Sequence, residues 1–173
     1  DVRIDKVRNG NAEGTACAVI KESDIVDESI RCEHFGRCGG CVYQPVRYEE
    51  QLKLKSAQIE KLLAPVGGDY IYEGIKGSPE VAEYRNKMEF SFGDEVKDGP
   101  LSLGMHKRGS FHDIVTVSGC RIMDGDFRSI LSATLDYFKN SGVPFYKKLA
   151  HTGYLRHLLV RKAKRTQELL VDI

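Results

Sequence analysis

Five cysteines occur in 173 residues, and three of them, Cys32, Cys38 and Cys41, fall within ten positions in the stretch RCEHFGRCGGCVYQP. A fourth, Cys120, stands far downstream in VSGCRIM, where a strand-like run gives way to a helical one. Four thiolates suffice to hold a tetrahedral zinc ion or a four-iron, four-sulfur (4Fe-4S) cluster. Structural zinc sites usually combine two close pairs, whereas three near ligands and a remote one are more typical of cubane clusters. The Gly39-Gly40 pair suits either, since it permits a tight turn with N–H groups directed at sulfur. A redox pair at Cys38 and Cys41, or simply buried thiols, would explain fewer of the cysteines. His34 is able to replace a thiolate on zinc, although a loop histidine more often faces solvent. Cys17, flanked by alanines in a strand-like run, reads as a small core residue.

The elements that must carry these sulfurs follow from periodicity. Residues 1–8 alternate, 14–23 form a second strand-like run, and NGNAEG between them predicts a hairpin, with a domain boundary near residue 25. Residues 22–31 hold Glu22, Asp24, Asp27 and Glu28 with few apolar anchors, which predicts an exposed linker. The cysteine loop has little apolar content of its own, so a metal centre closing it on Cys120 would supply its order.

Downstream, YEEQLKLKSAQIEKLLA over 48–64 predicts a helix with Leu52, Ile59, Leu62 and Leu63 roughly on one face and Pro65 as its stop. Four strand-like runs follow, YIYEGIKG, YRNKMEFSFG, LSLGMHKRG and FHDIVTV, and predict an antiparallel sheet. Spacing of Phe127, Ile130, Leu131, Leu135 and Phe138 predicts a second helix over 124–139, and the last twenty residues read as strand, basic turn, strand. The fold class is therefore α+β, an antiparallel sheet with two main helices behind a cysteine-rich loop. The chain does not begin with Met and its last run reads as a strand still under way, so we expect a piece of a longer protein.

Composition narrows the partners. No apolar run approaches the length of a membrane span and no secretion signal opens the chain, so the expectation is a cytoplasmic protein with reduced thiols, no membrane and no obligate protein partner. A net charge of +1 gives no global attraction for nucleic acid. Local charge says more: residues 151–165 include Arg156, Arg161, Lys162, Lys164 and Arg165 without an acid, and Lys107 and Arg108 adjoin His106. Tyr84 and Phe90 interleave with Arg85 and Lys87, and Phe111 follows Arg108, a pattern that suits stacking of unpaired bases on a sheet. Strand alternation sends Phe90 and Phe92 inward. The candidate RNA-contacting residues are Arg85, Lys87, Lys107, Arg108, Arg156 and Arg161.

The stretch CEHFGRCGGCVYQPVRYEEQLKLK, continued by YRNKMEFSF, LGMHKRGSFHDIV and SGCRIM, resembles the iron-sulfur RNA uracil-5-methyltransferases. That resemblance implies an order of TRAM β-barrel of the oligonucleotide-binding (OB) type, cluster loop, central RNA-binding α/β domain and Rossmann-like methyltransferase domain. On this chain it implies residues 1–25 as the end of the barrel, 26–45 as the cluster loop and 46–173 as the central domain. It further implies Cys32, Cys38, Cys41 and Cys120 as ligands of a 4Fe-4S cluster, S-adenosylmethionine as methyl donor of the parent enzyme, and structured RNA as partner, with ribosomal RNA favoured over transfer RNA. Family members use a cysteine against carbon 6 of uracil and a glycine-rich turn for the methyl donor. Neither is found here once the four ligands and Cys17 are assigned, so this chain alone is expected to be inactive. Two other readings stay open: a non-catalytic zinc- or cluster-bearing RNA-binding module, and a redox protein using Cys38 and Cys41.

Overall fold

Along KMEFSFGD, Met88, Phe90 and Phe92 are buried while Lys87 and Glu89 are exposed, the two-residue period of a strand covered on one face. The computed structural model describes residues 1–173 and orders them as β1 (Val2–Arg8), β2 (Asn11–Ala16), α1 (Tyr48–Leu63), β3 (Lys87–Asp94), β4 (Leu101–His106), β5 (Ile114–Thr116), α2 (Gly125–Lys139), β6 (His157–Lys162) and β7 (Leu169–Asp172). Five strands form one antiparallel sheet in the order β5-β4-β3-β6-β7. Register between β3 and β6 sets Met88 against Val160 and Phe90 against Leu158 on the covered side. On the other side it sets Lys87 against Arg161 and Ser91 against His157.

The covering layer is α2, which buries Phe127, Leu131 and Leu135 at helical spacing. Its first turn is capped by the Asp124 carboxylate, which accepts from the Asp126 N–H at 2.9 Å. Lys162 of β6 reaches both Asp124 (3.0 Å) and Asp126 (2.7 Å), fastening the helix start to the sheet. The Asp126 and Asp124 carboxylates raise the Lys162 pKa, and the Asp126 N–H followed by Lys162 lowers that of Asp124. Gly104 on β4 lies so close to β5 that a Cβ there would stand 2.0 Å from the Val115 carbonyl oxygen. Phe92 and Phe138 close the core with an edge-on ring contact, centroids 5.5 Å apart.

The first half of the chain is built differently. Asn9 (φ 50°) and Gly10 (φ 76°) make a two-residue turn with both positions left-handed, which matches the twist of the β1–β2 hairpin. The second strand thus starts and ends earlier than the sequence suggested. Every residue of both strands is exposed. Cys17, read as a core residue, is exposed too, because no layer covers either face of the hairpin. Helix α1 forms where predicted yet buries no residue fully, and Leu62 is 70% exposed. The run YIYEGIKG, expected to be a strand, joins no sheet: Gly74 (φ 91°) breaks its extension, and the segment lies along α1 instead. There Tyr72 and Ser56 share a hydroxyl hydrogen bond of 2.9 Å, and the Ser78 N–H donates to the Tyr48 hydroxyl at 2.6 Å. No helix is long and apolar enough to cross a membrane.

Candidate cysteine site and basic surface

The cysteine loop is organised by side chains that substitute for a missing core. Asp27 accepts from both the N–H (2.9 Å) and the hydroxyl (2.6 Å) of Ser29, starting a short 3-10 turn at Glu28–Ile30. Gln44 then joins the two ends of the loop: its oxygen accepts the Cys32 N–H at 2.7 Å and its amide donates to the Ile30 carbonyl. Within the loop, Cys32 and His34 carbonyls accept from Phe35 and Cys38 at 2.9 Å each, and Gly36 turns with φ 89°.

Two attachments carry this loop to the sheet. Residues 37–39 continue the hydrogen bonding of β4, with the Gly39 N–H donating to His106 (2.9 Å) and the Arg108 N–H to Arg37 (2.7 Å). His34 supplies the second. Its Nε2 accepts the Gly119 N–H at 3.1 Å, one residue before Cys120, and its side chain is only 12% exposed. The expected solvent-facing histidine is therefore a strut, because the neighbouring turn offers an otherwise unpaired donor. The glycine at 119 leaves room for Glu33, whose carboxylate oxygen would stand 1.7 Å from a Cβ built there.

These contacts bring Cys32, Cys38, Cys41 and Cys120 into one neighbourhood. Burial pushes the Cys41 thiol above the ordinary cysteine range, Cys120, Cys38 and Cys32 push it further, and the Arg85 guanidinium opposes them. Burial also raises Cys120; the Ile122 N–H opposes that shift, while Cys32 and Cys38 add to it. All four are partly buried, and the Gly40 N–H points at the Cys38 sulfur from 3.3 Å.

The donor set is all sulfur, with N–H groups at hand, but no three His, Cys, Asp or Glu side chains stand together closely enough to hold one metal ion. A single tetrahedral zinc would need sulfurs about 3.8 Å apart, given its ~2.3 Å bonds. A cubane spreads its four ligands over separate irons, so it asks for a different spacing of sulfurs from a single ion.

Cations flank the sulfurs. Arg108 donates to the Cys41 carbonyl at 2.6 Å, and the Arg31 and Arg108 guanidinium carbons lie 5.3 and 5.7 Å from the Phe35 ring centre. The six basic residues singled out from sequence fall in four places. Arg85 and Arg108 adjoin the cysteine loop. Lys107, at the end of β4, pairs with Asp113 at 3.7 Å. Lys87 and Arg161 face each other across β3 and β6 on the solvent side, with Lys87 also 3.3 Å from Glu89.

Arg156 lies apart from these, stacked 3.7 Å over the Tyr146 ring. Of the acid-free run, Lys162 is engaged by α2 and Lys164 pairs with Glu80 at 2.9 Å, so two of its five cations are already spent on carboxylates distant in sequence. Sequence reasoning missed Phe35 and Gln44 as site residues and placed His34 in solvent. The partners of His34 and of Phe35's second cation are 85 and 73 positions away, beyond any local pattern.

Comparison with known proteins adds relatives to this geometry. No protein-family model matches the chain. It is 47% identical over 173 residues to a protein of Caldanaerobacter subterraneus named uncharacterized RNA methyltransferase, and 46% identical over 173 residues to one of the same description in Clostridium acetobutylicum. Each alignment takes in 99% of this chain, and the chain spans 38% of the length of those relatives. Among solved structures, the Pyrococcus abyssi tRNA (uracil-54, C5)-methyltransferase in complex with S-adenosyl-L-homocysteine superposes with a TM-score of 0.72. That superposition covers 98% of this chain and 36% of the other at 18% identity, a likeness of fold.

Proposed function

We propose that the chain is the RNA-recognition and iron-sulfur portion of an S-adenosylmethionine-dependent RNA uracil-5-methyltransferase, acting on ribosomal RNA in preference to transfer RNA. What supports this is that Cys120, Cys38 and Cys32 lie near enough to Cys41 to raise its thiol, beside Arg85 and Arg108, in a chain whose relatives are named RNA methyltransferases. Cys32, Cys38, Cys41 and Cys120 would hold a 4Fe-4S cluster, whose contribution is to order a loop with no core of its own. Residues 1–25 would close a TRAM barrel, 26–45 form the cluster loop, and 46–173 the central domain.

The chain's own part in the reaction is binding and orientation. Arg85, Arg108 and Arg161 would neutralise phosphates and release counterions, fixing the register of the RNA without reading its bases. Methyl transfer would belong to a part of the parent enzyme outside these residues.

Anoxic purification and reconstitution tests the reading. About four irons and four acid-labile sulfides per chain are expected, with a visible band that acid bleaches. An iron-free chain after reconstitution, or one equivalent of zinc, would remove the cluster. RNA affinity that falls steeply with salt is expected, and indifference to salt would remove the phosphate contacts.

A further inference from the structure

A cavity of about 680 Å³ opens on the side of the sheet away from α2, with none of the cysteines in its lining. Ser91, His106 and His157 line its sheet side, the segment at 145–150 forms its wall, and Phe111 stands at the lip 86% exposed. The wall is fixed. The Tyr146 N–H donates to the Leu155 carbonyl at 2.8 Å, the Tyr146 hydroxyl meets His151 Nδ1 at 3.0 Å, and Gly153 (φ 104°) lets Phe145 pass where a Cβ would stand 2.1 Å from its carbonyl oxygen.

Three features of the lining select a ligand. Rings are present at Phe111 and Tyr146, the latter already bearing Arg156 on its face at 3.7 Å. Lys97, Lys147, Lys148 and Arg156 line it together with three carboxylates, of which Asp98 is taken by Lys147 (3.2 Å), Asp113 by Lys107 (3.7 Å) and Asp94 accepts the Asp98 N–H (2.9 Å), while Lys148 and Arg156 have no carboxylate partner. Imidazoles at His106, His112 and His157, with the Ser91 hydroxyl 3.4 Å from His157 Nδ1, offer both donors and acceptors. Burial, then Lys148, His157 and His112, lower the His106 pKa, so its ring is neutral near pH 7 in a field that favours an anion. The volume falls within the range of pockets that enclose a small-molecule-sized group.

We infer that this cavity receives one unpaired nucleotide of the RNA, its base stacked on Phe111 and its phosphate held by Lys148 and Arg156. A paired base cannot turn into a concave site, so single-stranded or loop RNA is selected over duplex. The inference rests on the RNA-binding reading above and adds to it where a base is taken.

The test uses the 173-residue chain with two fluorescent RNAs of equal length, a hairpin with an open loop and a fully paired duplex, read by anisotropy. Phe111→Ala is expected to weaken the hairpin about tenfold and leave the duplex unchanged. Arg156→Gln is expected to do the same. Arg161→Gln, outside the cavity, should weaken both RNAs alike. In parallel, uridine 5′-monophosphate should shift the His106 and His157 ring signals in the parent chain and not in Phe111→Ala. Unchanged hairpin affinity in Phe111→Ala and Arg156→Gln, with Arg161→Gln still impaired, would overturn the pocket and leave RNA binding standing. Binding of neither RNA would overturn both.

Discussion

All thirteen side chains of the hydrophobic core lie between Met88 and Val160, while the first 83 residues bury only Pro45 and Val46. The two regions meet the same entropic cost of ordering by different means. In the sheet and α2 the driving force is apolar burial, about 25 cal/mol per Å², spread over many mutually supporting contacts. In the cysteine loop it is a small number of hydrogen bonds through Gln44, His34 and the edge of β4, with a cluster proposed to complete them. A distributed core resists single losses that a loop held at few points does not.

Substitutions that strike one region and spare the other test this contrast. The largest effect is expected for Phe90→Ala, which empties a site with no solvent exposure and should cost about 3–5 kcal/mol in denaturant unfolding, taking the loop down with the sheet. A loss under about 1 kcal/mol would show that the core is not what holds the body. Next, Cys38→Ser should speed amide exchange in residues 26–45 at least tenfold, about 1.4 kcal/mol, with β3 and β6 amides unaltered. Unaltered exchange in the loop would end the ordering role proposed for the cluster. His34→Ala, which removes the acceptor for Gly119, should cost about 1 kcal/mol, concentrated at residues 33–38 and 117–120.

Smallest is a pH effect in the body. The His106 pKa is lowered on folding, so the folded chain binds that proton less readily than the unfolded one. Stability is then complete above the ordinary histidine value near 6.5 and declines as pH falls through it. His106→Gln should abolish that decline in thermal midpoint, and an unchanged profile would assign it to another group.

Legibility in the sequence followed the same division. Met88, Phe90 and Phe92 alternate as a half-covered strand must, and Phe127, Leu131 and Leu135 recur as a buried helix face must, so the body could be read from local period. Cys17 and YIYEGIKG were misread because both look apolar by composition, whereas the absence of a covering layer and the backbone at Gly74 decide their fate. Proximity of Cys120 to the loop was expected from the family resemblance and not from any local pattern. The strut from His34 to Gly119 and the engagement of Lys162 by α2 were not, since each joins residues that only the finished topology makes neighbours.

Gln44 merits one more consequence. Its side-chain amide meets Ile30 and Cys32 as the peptide group of an adjacent strand would, oxygen toward one and nitrogen toward the other. Exchanging that nitrogen for oxygen, as in Gln44→Glu, keeps the shape while setting two oxygens face to face at Ile30. A single-atom change thus becomes a lever for slackening the noose around the sulfurs without touching any of them.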